Sequence, residues 1–338
     1  MSRVAVLGAG SWGTSLAIVL AENGHDTLLW THRKEQAEEI SNQHRNAKYL
    51  PETILPENLN ATDDMEKAIS HAEIVVMAVP TKGIRETCKK MLKTLDKKVL
   101  FIHVSKGIEP NTLLRISDII KEEIPAEFIE EIVVLSGPSH AEEVVLHHPT
   151  TVAAACEDIV AAERVQDLFM NQYFRVYTNK DVIGVEIGGA LKNVIALAAG
   201  AVDGLGFGDN AKAALITRGL AEISRLGVKM GANPLTFSGL AGMGDLIVTC
   251  TSVHSRNWRA GHMLGKGYTL DEILEQMGMV VEGVRTTKAA HQLAEKYEVS
   301  MPIAEALYSV LFEDKNPRQT VEELMLRVKK QELDAYYL

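Results

Sequence analysis

Cysteine is scarce in this sequence, and the few cysteines lie far apart. The chain has 3 of them, Cys88, Cys156 and Cys250, and no C-x-x-C pair. An odd, scattered set argues against a disulfide framework and against a zinc site, and it is typical of a reducing cytosol. We therefore predict no metal site and expect all three thiols to be buried as small hydrophobic side chains.

Long apolar runs and an excess of basic residues are also missing. No stretch reaches the roughly eighteen uninterrupted apolar residues of a membrane span. A predicted strand begins at Val4, which leaves no room for a signal peptide. With 45 acidic against 35 basic side chains, the formal net charge is -10, so nucleic-acid binding has no general electrostatic support. We expect a soluble, cytoplasmic protein with no nucleic-acid partner and no membrane span, which attracts anionic ligands by local charge.

The most informative motif lies at the start of the chain. Within residues 4–13, the apolar run 4–7 leads directly into G-x-G-x-x-G, and a segment of helical periodicity follows. In such a motif Gly8 makes the tight turn, Gly10 lets backbone N–H groups approach a pyrophosphate, and Gly13 lets the helix pack on the strand. The flanking strand and helix make a dinucleotide site a better interpretation than an ordinary glycine-rich turn.

The rest of the chain divides into about two domains by pattern. Up to about residue 180, short apolar runs alternate with amphipathic segments such as 84–95, and after Asp181 nearly everything is helical in pattern. The apolar runs are 27–30, 73–79, 99–104, 132–135, 151–155 and 174–177. This order predicts an α/β fold, with a Rossmann-type, doubly wound, mostly parallel sheet in a dinucleotide-binding domain (1–180) and an all-α substrate and catalytic domain (181–338).

Local signals mark some boundaries within these domains. The polar, proline-containing stretch 46–64 predicts a long loop. Residues 269–272 match a capping box, and Pro302 and Pro317 occupy positions typical of the first turn of a helix.

One lysine stands out in the helical half. Residues 185–200 predict a helix that is apolar or small on nearly every side and is therefore buried, with Lys192 in its middle. The residues three and four positions away include no carboxylate, so desolvation should lower the pKa of this ammonium. A lysine that extends to solvent is the ordinary alternative. Gly188 and Gly189 favour the functional interpretation, because they should open space for a ligand beside Lys192.

Two further sites follow predicted strands. Lys106 follows the run 99–104, and Ser136-Gly137-Pro138-Ser139 follows the run 132–135. Ligands of open α/β sheets bind at the carboxyl ends of strands. These residues are therefore candidates for ligand binding, with ordinary turns as the alternative.

The third group of candidates lies between residues 242 and 259. Ser255 is a residue type typical of an N-cap, and Ser255, Arg256 and Asn257 together offer N–H groups, a hydroxyl, an amide and a guanidinium to a phosphate. Asp245 would repel phosphate, so we expect it to accept a hydrogen bond from a hydroxyl or to orient a lysine. A capped surface helix is the alternative.

A basic turn bears on the choice of cofactor. After the run 27–30 the chain reads Thr31-His32-Arg33-Lys34, and the first acidic residue is Glu35. An acidic residue at this place would select the ribose 2′-hydroxyl of NAD, whereas arginine accommodates a 2′-phosphate. We therefore expect NADPH to be used at least as well as NADH, with an ordinary basic turn as the alternative.

Taken together, these motifs resemble those of the bacterial NAD(P)-dependent glycerol-3-phosphate dehydrogenase family. The resemblance runs the full length of the chain and keeps the motifs in order. They are GAGSWGT at the N-terminus, VSKGIE around Lys106, SGPS before His140, GGALKN around Lys192, AGMGDL around Asp245 and SRNWRAG from Ser255. The resemblance implies reversible reduction of dihydroxyacetone phosphate by NADPH or NADH to sn-glycerol 3-phosphate for phospholipid synthesis, in a homodimer.

The resemblance also implies site residues. Lys192 would be the catalytic acid and base. The substrate would be held by Lys106, Gly137, Ser139, Lys192, Asp245, Ser255, Arg256 and Asn257. The cofactor contacts that it implies are Ser11, Trp12, Arg33, Lys106, Ala141, Arg256, Val280 and Glu282. The motif glycines Gly8, Gly10 and Gly13, together with His32 and Tyr49, complete the predicted cofactor contacts.

Two rival functions remain open from the residues alone. Another 3-hydroxyacid-type dehydrogenase of similar two-domain architecture would have no need of the phosphate-binding residues. A nucleotide-sensing regulatory protein would have no reason to bury Lys192.

Overall fold

A computed structural model of the chain describes residues 1–278, 280–329 and 331–332. Its contacts divide the chain into two compact units. The first contains Met1–Ser105 and Ile116–Val182, and the second contains Lys106–Arg115 and Ile183–Leu338. The predicted division of functions at residue 180 stays a prediction.

The first unit is built on one sheet of eight strands. They are β1 (Arg3–Leu7), β2 (Asp26–Trp30), β3 (Asn60–Thr62), β4 (Ile74–Met77), β5 (Val99–His103), β6 (Ile129–Ser136), β7 (Thr150–Ala155) and β8 (Phe174–Asn179). The order across the sheet is β3-β2-β1-β4-β5-β6-β7-β8, and only the β6–β7 pair is antiparallel. The predicted doubly wound, mostly parallel sheet is confirmed.

The central strands explain why the sheet forms. Strands β4 and β5 are buried at every residue, as expected for strands in the middle of a parallel sheet. The short strand β3 lies inside the stretch 46–64, where the sequence predicted only a loop. That prediction was wrong for residues 60–62, which add a short outer strand beside β2.

Helices connect these strands. They are α1 (Ser11–Glu22), α2 (Lys34–Gln43), α3 (Met65–His71), α4 (Ile84–Leu92), α5 (Ile116–Glu123), α6 (Ala141–Val144) and α7 (Ile159–Phe169). Helix α1 follows β1 through the glycine motif, with Gly10 at its N-cap.

Apart from one isolated bridge between Ile108 and Arg115, the regular secondary structure of the second unit is helical in the part that the structure describes. Its helices are α8 (Val182–Gly204), α9 (Asp209–Lys229), α10 (Asp245–Thr251), α11 (Arg256–Gly265), α12 (Leu270–Met277), α13 (Glu282–Tyr297), α14 (Pro302–Phe312) and α15 (Pro317–Met325). The predicted all-helical C-terminal region is confirmed.

Helix α8 is the core helix of the second unit. By length and composition it could cross a membrane, because an 18-residue stretch of it has a mean hydropathy of 1.6. However, 83% of that stretch is buried by the rest of the chain. Core helices of soluble proteins pass the same test of length and composition. Residues of α8 from Ile187 to Ala201 contribute to the hydrophobic core of this unit.

Helices α8 and α11 are in backbone contact because both have glycine where they meet. A Cβ atom on Gly200 would lie 2.0 Å from the carbonyl oxygen of Trp258, and one on Gly261 would lie 1.9 Å from that of Leu197. Only glycine permits such an approach. The contact fixes the start of α11 relative to the helix that carries Lys192.

Several local predictions are confirmed. Thr269 and Glu272 form a capping box at α12. Pro302 and Pro317 each occupy the first turn of a helix. All three cysteines are free and buried.

Candidate active site

Lys192 lies in the middle of α8 and is only 6% exposed. Its ammonium donates a hydrogen bond to Asp245 Oδ1 and another to Thr249 Oγ1, at 2.8 Å. The sequence correctly found no carboxylate among its neighbours on the same helix. The partner comes instead from α10, 53 residues along the chain.

Asp245 is positioned by a π-helical turn over residues Leu240–Gly244, directly before α10. This turn packs against α8 at Gly188, where a Cβ atom would lie 2.7 Å from the carbonyl oxygen of Ala241. The prediction that Gly188 opens space for a ligand was therefore wrong. Backbone of the same unit fills that space, and the glycine is needed to bring Asp245 to Lys192.

Thr249 fixes the geometry of this pair. It lies one helical turn after Asp245, donates a hydrogen bond to Asp245 O at 2.6 Å and accepts one from Lys192. Sequence analysis missed Thr249. The spacing of four residues from Asp245 on one helix was the signal that would have found it.

Lys106 approaches the same carboxylate from the segment Lys106–Arg115. Its ammonium lies 2.7 Å from Asp245 Oδ2, and its side chain is 17% exposed. Asn193, next to Lys192 on α8, donates a hydrogen bond to the backbone oxygen of Lys106 at 3.2 Å. Asp245, only 1% exposed, thus holds two ammonium groups together, and the prediction that it orients a lysine agrees with this geometry.

Burial shifts the pKa of Lys192. It lowers the pKa of Lys192 to about 8, because an ammonium inside the protein loses its hydration. The carboxylate of Asp245 acts in the opposite direction and raises this pKa, while the positive charge of Lys106 lowers it further. The direction is the one that the sequence predicted, and it leaves Lys192 able both to donate and to accept a proton near neutral pH.

The start of α11 contains the predicted phosphate-binding residues. Ser255 is the N-cap, and its side chain accepts a hydrogen bond from Trp258 N at 3.2 Å. Arg256 is exposed and donates to the backbone oxygen of Val280 at 3.3 Å. The helix has no acidic residue in its first turn. An exposed guanidinium at a helix N-terminus suits an anion.

Asn257 connects this helix to the lysine site. Its Nδ2 donates to Asn193 Oδ1, and its Oδ1 accepts from Gly283 N, both at 2.8 Å. Since Asn193 also contacts the backbone of Lys106, the two amides join α8, α11 and the start of α13. Glu282, another predicted contact, is the first residue of α13. Asn193 was not predicted, although it follows Lys192 directly.

In the first unit, the glycine motif has the geometry of a dinucleotide-binding turn. Gly8 has φ +118°, and a Cβ atom there would lie 2.7 Å from Ala78 O. A Cβ atom on Gly13 would lie 1.9 Å from Gly8 O, whereas one on Gly10 would meet no heavy atom within 4 Å. Helix α1 begins here with no side-chain cap and no acidic residue in its first turn. Its first N–H groups can therefore bind an anion that approaches Gly10.

Two buried amides that the sequence did not single out brace this turn. Gln36 Nε2 and Asn46 Nδ2 both donate to the backbone oxygen of Ala9, at 2.7 and 3.1 Å. They also contact each other, at 3.0 Å. These bonds hold the glycine turn in place through the backbone oxygen of Ala9 and use none of its N–H groups. The N–H of Gly8 is paired with the backbone oxygen of Trp30 at 2.9 Å, so a ligand would bind to N–H groups later in the turn.

The remaining predicted cofactor residues of this unit lie near the same turn. Ser11 Oγ donates to the backbone oxygen of Tyr49 at 3.1 Å. The guanidinium of Arg33 lies 5.8 Å from the centre of the Tyr49 ring, and it donates to Gln36 Oε1 at 2.8 Å. His32 is exposed beside Arg33. The indole N–H of Trp12 is buried without an acceptor in the described residues.

The last three predicted residues follow β6, two of them in the loop and one at the start of α6. Gly137 has φ +151°, and a Cβ atom there would lie 2.9 Å from Val152 Cα. Ser139 Oγ donates to Gly137 O at 2.9 Å. Ala141 begins α6, and its backbone oxygen accepts from Ser15 Oγ of α1 at 3.3 Å. Ala141 is thus in contact with the helix that follows the glycine motif.

Family models, similar sequences and a solved structure all match this chain to one family. Residues 3–162 match the model of the NAD-dependent glycerol-3-phosphate dehydrogenase N-terminus, and residues 181–322 match that of the C-terminus. The chain is 75% identical to glycerol-3-phosphate dehydrogenase [NAD(P)+] of Lysinibacillus sphaericus over 99% of both chains. It is 65% identical to the protein of the same name from Bacillus licheniformis, over 99% of this chain and 97% of that protein. Among solved structures, glycerol-3-phosphate dehydrogenase from Coxiella burnetii matches with a TM-score of 0.91 and 37% identity, over 96% of this chain and 99% of that one.

Proposed function

The chain belongs to the NAD-dependent glycerol-3-phosphate dehydrogenase family, and from this we infer that it catalyses the reversible reduction of dihydroxyacetone phosphate to sn-glycerol 3-phosphate. The reductant is NADPH or NADH, and the product serves phospholipid synthesis. The observation that carries the assignment of roles is the buried carboxylate of Asp245, which holds Lys192 and Lys106 at one place.

The residues of the first unit fit a dinucleotide. Gly10 leaves open space at the start of α1, which has no side-chain cap, and the buried indole N–H of Trp12 has no acceptor in the described residues. Gly8, Ser11, Gly13, His32, Arg33, Tyr49 and Ala141 complete the proposed contacts of this unit, and Lys106, Arg256, Val280 and Glu282 those of the second unit. When bound, the nicotinamide cofactor supplies or accepts the hydride.

Lys192 is the proton donor and acceptor in this proposal. In the direction of reduction, its ammonium donates a proton to the carbonyl oxygen of the substrate as negative charge develops there. In the direction of oxidation, its neutral amine accepts the proton from the hydroxyl of glycerol 3-phosphate. A pKa of about 8 makes both forms available near neutral pH.

Asp245 and Lys106 act on this proton transfer. Asp245 orients the Lys192 ammonium through its hydrogen bond and keeps it partly charged despite burial. Lys106 adds a second positive charge that stabilises the developing oxyanion and holds the substrate. Thr249 fixes the position of Nζ from the other side.

The start of α11 holds the substrate phosphate. Arg256 offers a guanidinium, Ser255 a hydroxyl proton, and the first turn of the helix its N–H groups. Asn257 orients this group relative to Lys192 through Asn193. Gly137 and Ser139 are the substrate contacts proposed in the first unit. Binding of the phosphate, remote from the reacting carbon, is converted into orientation at that carbon.

The wider assignments are part of the same proposal. Residues 1–180 form the dinucleotide-binding domain and residues 181–338 the substrate and catalytic domain, in a cytoplasmic homodimer. Size-exclusion chromatography with light scattering tests the dimer, since a mass of one chain, 37.1 kDa, would contradict it.

One assay tests the function. The purified chain should oxidise NADPH when dihydroxyacetone phosphate is added. It should not do so with a 3-oxo acid such as acetoacetate, which a 3-hydroxyacid-type dehydrogenase would reduce. Turnover of the oxo acid without turnover of the phosphate would favour the rival enzyme, and turnover of neither would favour a nucleotide-sensing protein.

A further inference from the structure

The segment Lys106–Arg115 belongs by its contacts to the second unit, although it lies in the sequence between strand β5 and helix α5 of the first. Lys106 is its first residue and Arg115 its last. Whatever fixes this segment in the second unit therefore also fixes the position of Lys106.

The segment is closed on itself. Ile108 and Arg115 pair in an antiparallel bridge, and Glu109 N donates to Leu114 O at 3.0 Å. Leu113 has φ +61°, which a side chain of this size rarely adopts, so the surrounding contacts must hold the backbone there. Displacement of Arg115 would therefore be transmitted through the bridge to Ile108, two residues from Lys106.

Arg115 anchors the far end of the segment to the helix that carries Lys192. Its Nη1 donates to Glu186 Oε2 of α8 at 2.8 Å. The Glu186 side chain is 3% exposed and that of Arg115 is 17% exposed. A carboxylate buried on a mostly apolar helix requires such a partner, because its charge is costly to desolvate. The reaction described above does not use either side chain.

We propose that Arg115 and Glu186 are positioning residues, whose buried ion pair holds the segment Lys106–Arg115 on α8 and so keeps Lys106 against Asp245. This inference rests on the proposed function, because it assigns the pair a role in that reaction. Neither residue touches the substrate.

The role has a consequence that simple stabilisation lacks. If Lys106 moves away from Asp245, its charge no longer lowers the pKa of Lys192, so that pKa rises. The loss of dihydroxyacetone phosphate reduction at high pH should then occur at a higher pH than in the wild type. The KM for dihydroxyacetone phosphate should also rise, because Lys106 holds the substrate.

The test uses a double variant, Arg115→Met with Glu186→Met. It removes the ion pair without leaving one charge buried alone, which favours folding. We expect kcat/KM to fall by about tenfold to a hundredfold, since a displacement of about 1 Å can have the larger effect. The decline of kcat at high pH should shift to a higher pH. Arg115→Lys, which keeps a positive charge, should retain more of the wild-type KM and pH profile than the double variant.

The matched control is Arg85→Met in the first unit. Arg85 Nη1 lies 2.7 Å from Glu123 Oε1, with side-chain exposures of 25% and 13%. Arg85 also pairs with Glu122, so this ion-pair group joins α4 to the end of α5 that is remote from Arg115. It does not hold the segment Lys106–Arg115 on α8, so the control should keep the wild-type KM and pH profile.

The outcomes separate the two proposals. Wild-type protein without activity on dihydroxyacetone phosphate would overturn the proposed function. An active wild type together with an unchanged KM and pH limb in the double variant would overturn only this inference. A change of the KM and pH limb in Arg85→Met equal to that in the double variant would also overturn this inference. If the double variant does not fold, the isosteric variant Glu186→Gln is measured in the same way, with the same outcomes deciding.

Discussion

Lys106 and Lys192 donate hydrogen bonds to different oxygens of one buried carboxylate, that of Asp245. Two positive charges therefore share one negative charge, and the group keeps a net positive charge where an anionic substrate is proposed to bind. The arrangement also sets the pKa of Lys192, because Asp245 raises it and Lys106 lowers it.

Replacement of Lys192 by Met removes the proton donor and keeps a side chain of similar length. We expect kcat for dihydroxyacetone phosphate reduction to fall by about a hundredfold or more, the usual weight of general acid–base catalysis. Binding of NADPH, measured by fluorescence titration, should stay near the wild-type value. If the variant kept more than half of the wild-type kcat, Lys192 would not be the acid.

The wild-type enzyme should show opposite pH profiles in its two directions. Reduction needs the ammonium form of Lys192, so its kcat should decline as the pH rises through about 8. Oxidation of glycerol 3-phosphate needs the neutral amine, so its kcat should increase over the same range. Both profiles are measured at saturating cofactor and substrate. Parallel profiles would show that another step or another group limits the rate.

Two variants should move the reduction profile in opposite directions. Asp245→Asn removes the negative charge that raises the pKa of Lys192, so kcat should decline at lower pH than in the wild type. Lys106→Met removes the positive charge that lowers this pKa, so the decline should occur at higher pH. Each variant serves as the control for the other. Shifts of the same sign would contradict the electrostatic explanation.

Replacement of Arg256 by Ala should weaken the binding of dihydroxyacetone phosphate. The reaction of unphosphorylated dihydroxyacetone, a poor substrate, should be nearly unaffected. We expect kcat/KM for the phosphate to fall by about tenfold to a hundredfold, the weight of a hydrogen bond between charged groups. Because Arg256 is also a proposed cofactor contact, NADPH is kept saturating. Arg259→Ala, also exposed on α11, is the matched control. A loss of the same factor for both substrates would show that Arg256 does not bind the phosphate.

Features with a local cause were predictable from the sequence. The strand and helix around Gly8 and Gly13, the capping box at Thr269 and the first-turn prolines all depend on residues close together in the chain, and they are confirmed. The short strand β3 was not predictable, because its three residues, Asn60, Ala61 and Thr62, have no apolar strand pattern and acquire strand structure only through pairing with β2. In the same way, nothing in the segment around Lys106 indicates that it packs with the second unit.

The candidate site divides along the same line. Lys192 was recognised because its whole helix is apolar, and the lowered pKa followed from burial alone. Its partner Asp245 was not paired with it in advance, because the contact depends on how the turn at Ala241 packs on Gly188. The sequence presented Gly188 as open space for a ligand, since a missing side chain looks the same whether ligand or backbone fills the space.

The choice between NADPH and NADH should depend on Arg33. Its guanidinium lies near the Tyr49 ring and donates a hydrogen bond to Gln36. No acidic residue stands between the end of β2 and Arg33 to select a ribose hydroxyl. A planar guanidinium suits the 2′-phosphate of NADPH, which NADH lacks. We therefore expect Arg33→Ala to raise the KM for NADPH by about tenfold or more, the weight of one hydrogen bond between charged groups. The KM for NADH should change little.

The matched control for Arg33 is its neighbour Lys34, which is also basic. The Lys34 side chain is 72% exposed and lies 3.8 Å from Glu38 on the same helix. If the turn attracts NADPH only by its general positive charge, Lys34→Ala should raise the KM for NADPH as much as Arg33→Ala does. If Arg33 binds the phosphate directly, Lys34→Ala should have only a small effect on the KM for NADPH. About 0.5 M salt should remove that effect, because the Debye length is then well below the roughly 8 Å found at 0.15 M. Equal changes of KM for NADPH and NADH in Arg33→Ala would refute the assignment, because NADH has no 2′-phosphate to lose.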